Sequence, residues 1–295
     1  MPHHLPTRRG PTMKLPFHPR AKDWMLLPSL CGIGLFYLIP LVQSIFYAFS
    51  DGLYASRFVG GYNFRTLCED PLFQRAVTNT LLFFLVGISA LLAVSLYISL
   101  ICVSGKFVWQ PWALLLPIVV PVPCFASGWQ LMWGNGGLVH RLLAFLPCKT
   151  VDFMQGVPAF WLMLLLYIIK NAGYISILLS GAIRVLPTEI QDSYRLDGNS
   201  EWVYVTRILL PQLRSTLFFC VITAVMNYFL LFRDMYALYG SAPPDTLYML
   251  QHYMNRNFYR LNFPKLSAAA LLTCLVIGAI LAVGFYLGRR KYDVQ

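Results

Sequence analysis

The sequence predicts an all-α integral membrane protein with six transmembrane helices and with both its N- and C-termini in the cytoplasm. Three observations predict it. Of its 295 residues 58% are hydrophobic and only 12% are charged, a balance of chains whose solvent is lipid rather than water. Six apolar stretches are each long enough to cross about 30 Å of hydrocarbon, which takes roughly 20 helical residues. The basic residues are shared unequally between the two sets of connecting segments.

The six stretches are Trp24–Phe49, Val77–Val103, Val108–Trp133, Ala159–Ala182, Thr216–Leu238 and Leu266–Leu287. Lipid offers no partner to an exposed peptide group, so each should be a helix. With the N-terminus inside, Arg8, Arg9, Lys14, Arg20, Lys22, Lys106, Arg184, Arg195, Arg207, Arg214, Arg289, Arg290 and Lys291 face the cytoplasm, thirteen in all. Arg57, Arg65, Arg75, Arg141, Lys149, Arg256, Arg260 and Lys265 face outward, eight in all. The excess of basic residues inside sets the orientation. Residues 1–23 are then a cytoplasmic tail rather than a cleaved signal, since no small-residue cleavage site follows the first apolar run. Residues 24–288 form the membrane domain, and 289–295 a second cytoplasmic tail.

The formal net charge of +11 is explained by these flanking residues, and no stacking or phosphate-binding module accompanies them to support a nucleic-acid reading. The seven cysteines show no metal-binding spacing. Cys31, Cys102, Cys124, Cys220 and Cys274 read as small core residues, while Cys68 and Cys148 fall in outer loops where a bridge is conceivable. The third span carries Pro117, Pro121 and Pro123, which should kink it. The outer segment Gly136–Pro147 has helical apolar spacing and should lie at the interface.

One polar island interrupts the apolar chain, LPTEIQDSYRLDGNSEWVYVTRILLP from Leu186 to Pro211. A helix from about Pro187 to Leu196, with proline and acids in its first turn, must reverse direction, and Gly198 takes positive φ without penalty. Asp192-Ser193-Tyr194, then Gly198, then Ile208-x-Leu210-Pro211 resembles the E-A-A…G…I-x-L-P signature of the permease subunits of bacterial ABC importers. The first acid is Asp rather than Glu, and Ser193 and Tyr194 replace the two alanines, which bears on the docking geometry. Gly60-Gly61-Tyr62-Asn63-Phe64 and Asp70-Pro71-Leu72-Phe73 resemble the words before the second helix of sugar permeases. Gly240-Ser241-Ala242-Pro243 stands where the family shows a Gly-Gly-Pro turn, and Lys265–Ala270 resembles its run into the last helix. The similarity covers roughly residues 25–290 and points to the carbohydrate-uptake branch, which imports maltose-type oligosaccharides, multiple sugars and glycerol phosphate.

The resemblance implies the ABC type I importer fold and a transmembrane permease subunit in the bacterial cytoplasmic (inner) membrane. It implies four kinds of partner: a second homologous permease, two ATP-binding subunits, an extracytoplasmic solute-binding protein and membrane lipid. The island would be a pair of coupling helices, about residues 186–211, that dock on the ATPase through Glu189, Asp192, Ser193, Tyr194, Asp197 and Gly198. ATP and magnesium would be held by that partner, with no cofactor in this chain. The sequence contains no Walker Gly-x-x-x-x-Gly-Lys word of its own.

Two polar words lie inside apolar spans, where an ionisable group marks function or a structural pair. Lys170-Asn171 occurs in the fourth, and Asn227-Tyr228 with Arg233-Asp234 in the fifth. Tyr167, Lys170, Asn171 and Tyr174 share one helical face that could line a pathway; Lys170 could equally pair with Asp234. By resemblance, the family places Ala224, Tyr228 and Leu231 of the fifth span at substrate-contact positions, with Asn227 beside them. This face is less polar than a full sugar cage requires. Two rivals stand beside a sugar importer: the same machine carrying an anionic or non-sugar solute past Lys170 and Arg233, and an intramembrane enzyme using Lys170 and Asp234 as acid and base. No His-Glu-x-x-His or Gly-x-Ser-x-Gly word supports the enzyme.

Overall fold

The computed structural model describes residues 19–52, 57–105, 111–145, 151–187 and 200–289. Among them regular structure is helical throughout, apart from one isolated bridge between Ser50 and Phe58. Five helices are long and apolar enough to cross a membrane: α1 (Leu26–Ala48), α3 (Pro71–Val103), α7 (Gly156–Arg184), α9 (Arg214–Tyr239) and α11, whose apolar part is Phe263–Ala282. A sixth span is a broken pair, α4 (Ala113–Val119) and α5 (Val122–Trp133, running on toward Leu143), bent by 101°. The expected kink is thus a break. Val120 and Pro121 leave the helical region, and Pro121, at the N-cap of α5, cannot donate the hydrogen bond that would continue α4.

Shorter helices punctuate the ends: α2 (Tyr62–Cys68), α6 (Leu138–Leu143), a helical stretch α8 over 201–212, and α10 (Leu250–Tyr259). The expected helix at 187–196 and its glycine reversal lie outside the described residues, as does Cys148. Cys68 is exposed, and Cys31, Cys124 and Cys274 are exposed as well, so of the five span cysteines only Cys220 is fully buried. Cys31, Cys124 and Cys274 are thus not core residues of this chain but lie on the outer face that a span of a multi-helix bundle has.

The centre of the bundle is α7. It packs most extensively on α3 and also touches α4 and α9, and its length from Ala159 to Leu179 is buried on almost every side. Ser95 of α3 donates to the Ala172 carbonyl at 3.3 Å, and Gly173 lies so close to α4 that a Cβ there would collide with the Leu114 carbonyl. Small and hydroxyl side chains are what allow such approach between helices in lipid. The first half of α1 stands clear of the other helices, while its second half packs on α11.

The two outer-loop words turn out to be fasteners. Asn63 is buried and its Nδ2 donates to the carbonyls of Ala48 and Ser50, at 3.0 and 2.7 Å, tying the end of α1 to α2. Asp70 is the N-cap of α3, its Oδ1 accepting from the Leu72 N–H at 2.9 Å, with Pro71 at the first helical position. Its other oxygen accepts from the Tyr253 hydroxyl of α10 at 2.9 Å. Ala268 and Ala269 of α11 are fully buried in the same cluster. Gly240, at φ +63°, ends α9 in a backbone conformation that costs glycine nothing.

On α10, His252 is buried, its ring edge-on to Phe232 at 4.9 Å. Its Nδ1 accepts from the Met249 N–H at 3.3 Å, and burial pulls its pKa from 6.5 down to about 4. The unfolded chain therefore binds the extra proton between those values. Stability is full above pH 6.5 and should fall by roughly 3 kcal/mol as the pH drops toward 4. Amide exchange across residues 250–259, followed against pH, should show this slope, and His252→Gln should flatten it.

Candidate functional site

Lys170 stands in the middle of α7 and Asp234 near the far end of α9. Their side chains meet at 2.6 Å, with only 12% and 9% of each exposed. The ammonium also sits 5.3 Å from the centroid of the Phe125 ring of α5, so a cation–π contact shares its charge. Of the two roles open to Lys170, the structure shows the pair. Two charges that lipid would penalise separately cross-link the fourth and fifth spans.

The Lys170-Asn171-Ala172-Gly173 word reads as one construction. Lys170 binds α9, Asn171 donates to the Tyr167 carbonyl one turn back at 2.7 Å, Ala172 accepts from Ser95, and Gly173 admits α4. Polar residues hold their neighbours, and the missing side chain holds the broken span close.

A cavity of about 260 Å³ opens beside this pair. Its walls are the break in the third span, from Ile118 through Pro121 to Val122, together with Lys170 and Asn171 of α7 and Asn227, Leu230, Leu231, Arg233 and Asp234 of α9. Lys170, Asn171, Asn227 and Leu231 of the expected pathway residues are thus brought to one place. Tyr167, Tyr174, Ala224 and Tyr228 are not. The Tyr167 hydroxyl donates to the Ala224 carbonyl at 2.7 Å, with both residues fully buried, and Tyr228 reaches the Thr80 carbonyl at 3.4 Å and the Met249 sulfur at 3.3 Å. These side chains spend their polar atoms on the bundle itself. Tyr174 is half-buried and packs against the core.

One contributor was not in the expected set, and Arg233 was expected there only for an anionic or non-sugar cargo. The 118–122 wall was announced only by the prolines of the third span, which signal irregular backbone but not what it faces. Arg233 had its charge as a signal, and on α9 it falls on an exposed stripe with Met226 and Leu230 that the cavity shares. The exposed stripe is apolar at membrane depth except where the cavity opens.

At the end of the bundle where α3 and α7 finish, α8 is anchored by Val205, Leu209 and Leu213. They are buried against Leu96 and Leu100 of α3 and against Ala182, Ile183 and Leu186 at the end of α7. The Ile208-x-Leu210-Pro211 word lies in this anchored stretch, where a π turn over Val205–Leu209 precedes Pro211. The candidate coupling residues Glu189, Asp192, Ser193, Tyr194, Asp197 and Gly198 lie outside the described residues. Among the described residues no cluster of His, Cys, Asp or Glu could hold a metal ion.

A helix bundle with a polar, charge-paired cavity at membrane depth and a helical segment anchored beneath its ends defines a membrane permease. The chain belongs to the family of binding-protein-dependent transport system inner membrane components, whose family model matches residues 107–291. It is similar to the lactose transport system permease LacF of Rhizobium radiobacter, at 21% identity over 92% of this chain and 95% of that one. It is also similar to the trehalose/maltose transport system permease MalF of Thermococcus litoralis, at 24% identity over 91% and 94%. Its fold matches a solved bacterial ABC transporter involved in import of the acidic polysaccharide alginate, with a TM-score of 0.75 at 23% identity, covering 92% of this chain and 96% of that one. A structure of an alginate transporter in complex with an alginate pentasaccharide-bound periplasmic protein matches at 0.71, with 22% identity over the same shares. The chain is a permease subunit of the binding-protein-dependent transport class and a multi-pass protein of the bacterial cytoplasmic membrane.

Proposed function

We propose that this chain forms half of the translocation pathway of an ATP-driven carbohydrate importer, paired with a second, homologous permease and fed by an extracytoplasmic binding protein. The observation that carries the reading is the cavity beside Lys170 and Asp234. It combines amides and charges with apolar walls, it lies at membrane depth, and it opens on an exposed face of α9 that a second permease would cover. Relatives that carry lactose, trehalose or maltose support a sugar as cargo. Lys170 and Asp234 are engaged with each other, which argues against their use as a catalytic acid and base.

The basic-residue excess supports both termini in the cytoplasm, with α8 and the 186–211 island on the side where ATP is. ATP and magnesium are held by the partner ATPase. Closure of the ATPase subunits pushes on the island and rocks the bundle between inward and outward openings. Asp192 supplies an ion pair to a basic residue of the ATPase. Asp192→Ala should therefore cut substrate-stimulated ATP hydrolysis at least tenfold while leaving the complex assembled; unchanged hydrolysis would remove Asp192 from that role. Pull-down of the tagged chain from gently solubilised membranes tests the assembly itself. A second six-span permease and an ATPase should accompany it, and recovery of the chain alone would refute the importer.

A further inference from the structure

We propose that the cavity selects a carbohydrate bearing a carboxylate or phosphate group, and that Arg233 reads that charge. This rests on the importer reading and names the cargo class of the same site. Three charged side chains line the cavity: Lys170, Asp234 and Arg233. Lys170 and Asp234 neutralise each other at 2.6 Å, so Asp234 neither balances Arg233 nor confronts an entering anion with a free carboxylate. Successive residues of a helix point about 100° apart. Arg233 is therefore turned from Asp234 toward the exposed side of α9, and among the described residues it makes no ion pair and no hydrogen bond. One positive charge is left over at the cavity.

The surroundings make that charge selective. Ile118, Val119, Val120, Pro121 and Leu230 wall the same space with apolar groups, and low-dielectric walls strengthen a charge–charge interaction relative to water. A guanidinium offers a planar fork that fits a carboxylate or a phosphate with two parallel hydrogen bonds. Asn227 lines the cavity one and a half turns below with an amide that has no partner among the described residues, a group suited to sugar hydroxyls. A neutral sugar could use the amide alone. An anionic one uses both.

The test uses the chain purified with its partner permease and ATPase in lipid nanodiscs, as wild type, Arg233→Gln and Arg233→Lys. Three probes are titrated by thermal shift: trigalacturonate for the carboxylate, glucose 6-phosphate for the phosphate and maltotriose as the neutral sugar. Wild type should bind at least one charged probe tenfold or more tightly than maltotriose, and which one identifies the anion. Arg233→Gln should abolish that preference by weakening the charged probe at least tenfold more than maltotriose, and Arg233→Lys, which keeps charge but loses the fork, should restore part of it. A wild-type complex that prefers maltotriose to both charged probes, or an unchanged preference in Arg233→Gln, overturns this inference while leaving the importer standing. Failure of any permease or ATPase to co-purify overturns the importer reading and this one with it.

Discussion

Replacing Asp234 by alanine should deplete the folded protein from the membrane. The substitution leaves the Lys170 ammonium buried in the bundle without its partner 2.6 Å away, and breaking a buried pair from one side costs about 3–5 kcal/mol. The Phe125 ring would remain beside the charge. The double substitution Lys170→Met with Asp234→Leu removes both charges and fills the space with apolar atoms, so it should recover most of the stability. Membrane abundance and the melting temperature of the detergent-solubilised protein read both outcomes. If the double variant is as unstable as the single, the pair contributes something beyond mutual neutralisation. If the single variant is as stable as wild type, the ion pair is not what holds α7 to α9.

Gly173→Val should separate α4 from α7. A Cβ at this position meets a backbone carbonyl, that of Leu114, rather than the end of a side chain that could swing away. Overpacking of a well-packed site typically costs about 1–3 kcal/mol, and an obstacle fixed in the backbone puts this site at the upper end. The displaced segment leads directly into the 118–122 wall of the cavity, so transport should fall more than abundance does. Comparing uptake per molecule with Gly173→Ala gives the graded version, and equal uptake in all three proteins would show that the close approach is dispensable.

These two sites show how far the sequence could be read. Charges of opposite sign in adjacent spans offer a pair, because lipid leaves few other solutions, and on that ground Lys170 with Asp234 was readable as one of two roles. The six spans were readable from length and composition, and proline in the third predicted irregularity there. The angle of the break was not readable, since a proline states which hydrogen bond is lost and not how the chain redirects. Nor was the division of the α7 face into Lys170 and Asn171, which meet the cavity, and Tyr167, which does not. Helical periodicity locates a face only when one side of a helix is solvated by something different from the other. On α7 the contrast is one exposed stripe of Trp161, Leu165 and Ile169, and burial of the remaining sides does not separate Tyr167 from Asn171. Gly173 shows the same limit from the other direction, because an absent side chain reveals a close approach without saying to what.

The seating of Leu209 and Leu213 against the ends of α3 and α7 has a mechanical meaning. A buried apolar knuckle resists compression and slip, so a load applied to α8 is delivered as torque to the base of two long rods. The rod α7 has 29 residues and is about 43 Å long at 1.5 Å per residue, so that a tilt of roughly 10° carries its far end through about 7.5 Å. Lys170, halfway along, travels about half as far and draws Asp234 and the fifth span with it. Were an ATPase to push on α8, leverage of this kind would convert a small displacement at one end of the bundle into a gap at the other, with two buried leucines as its fulcrum.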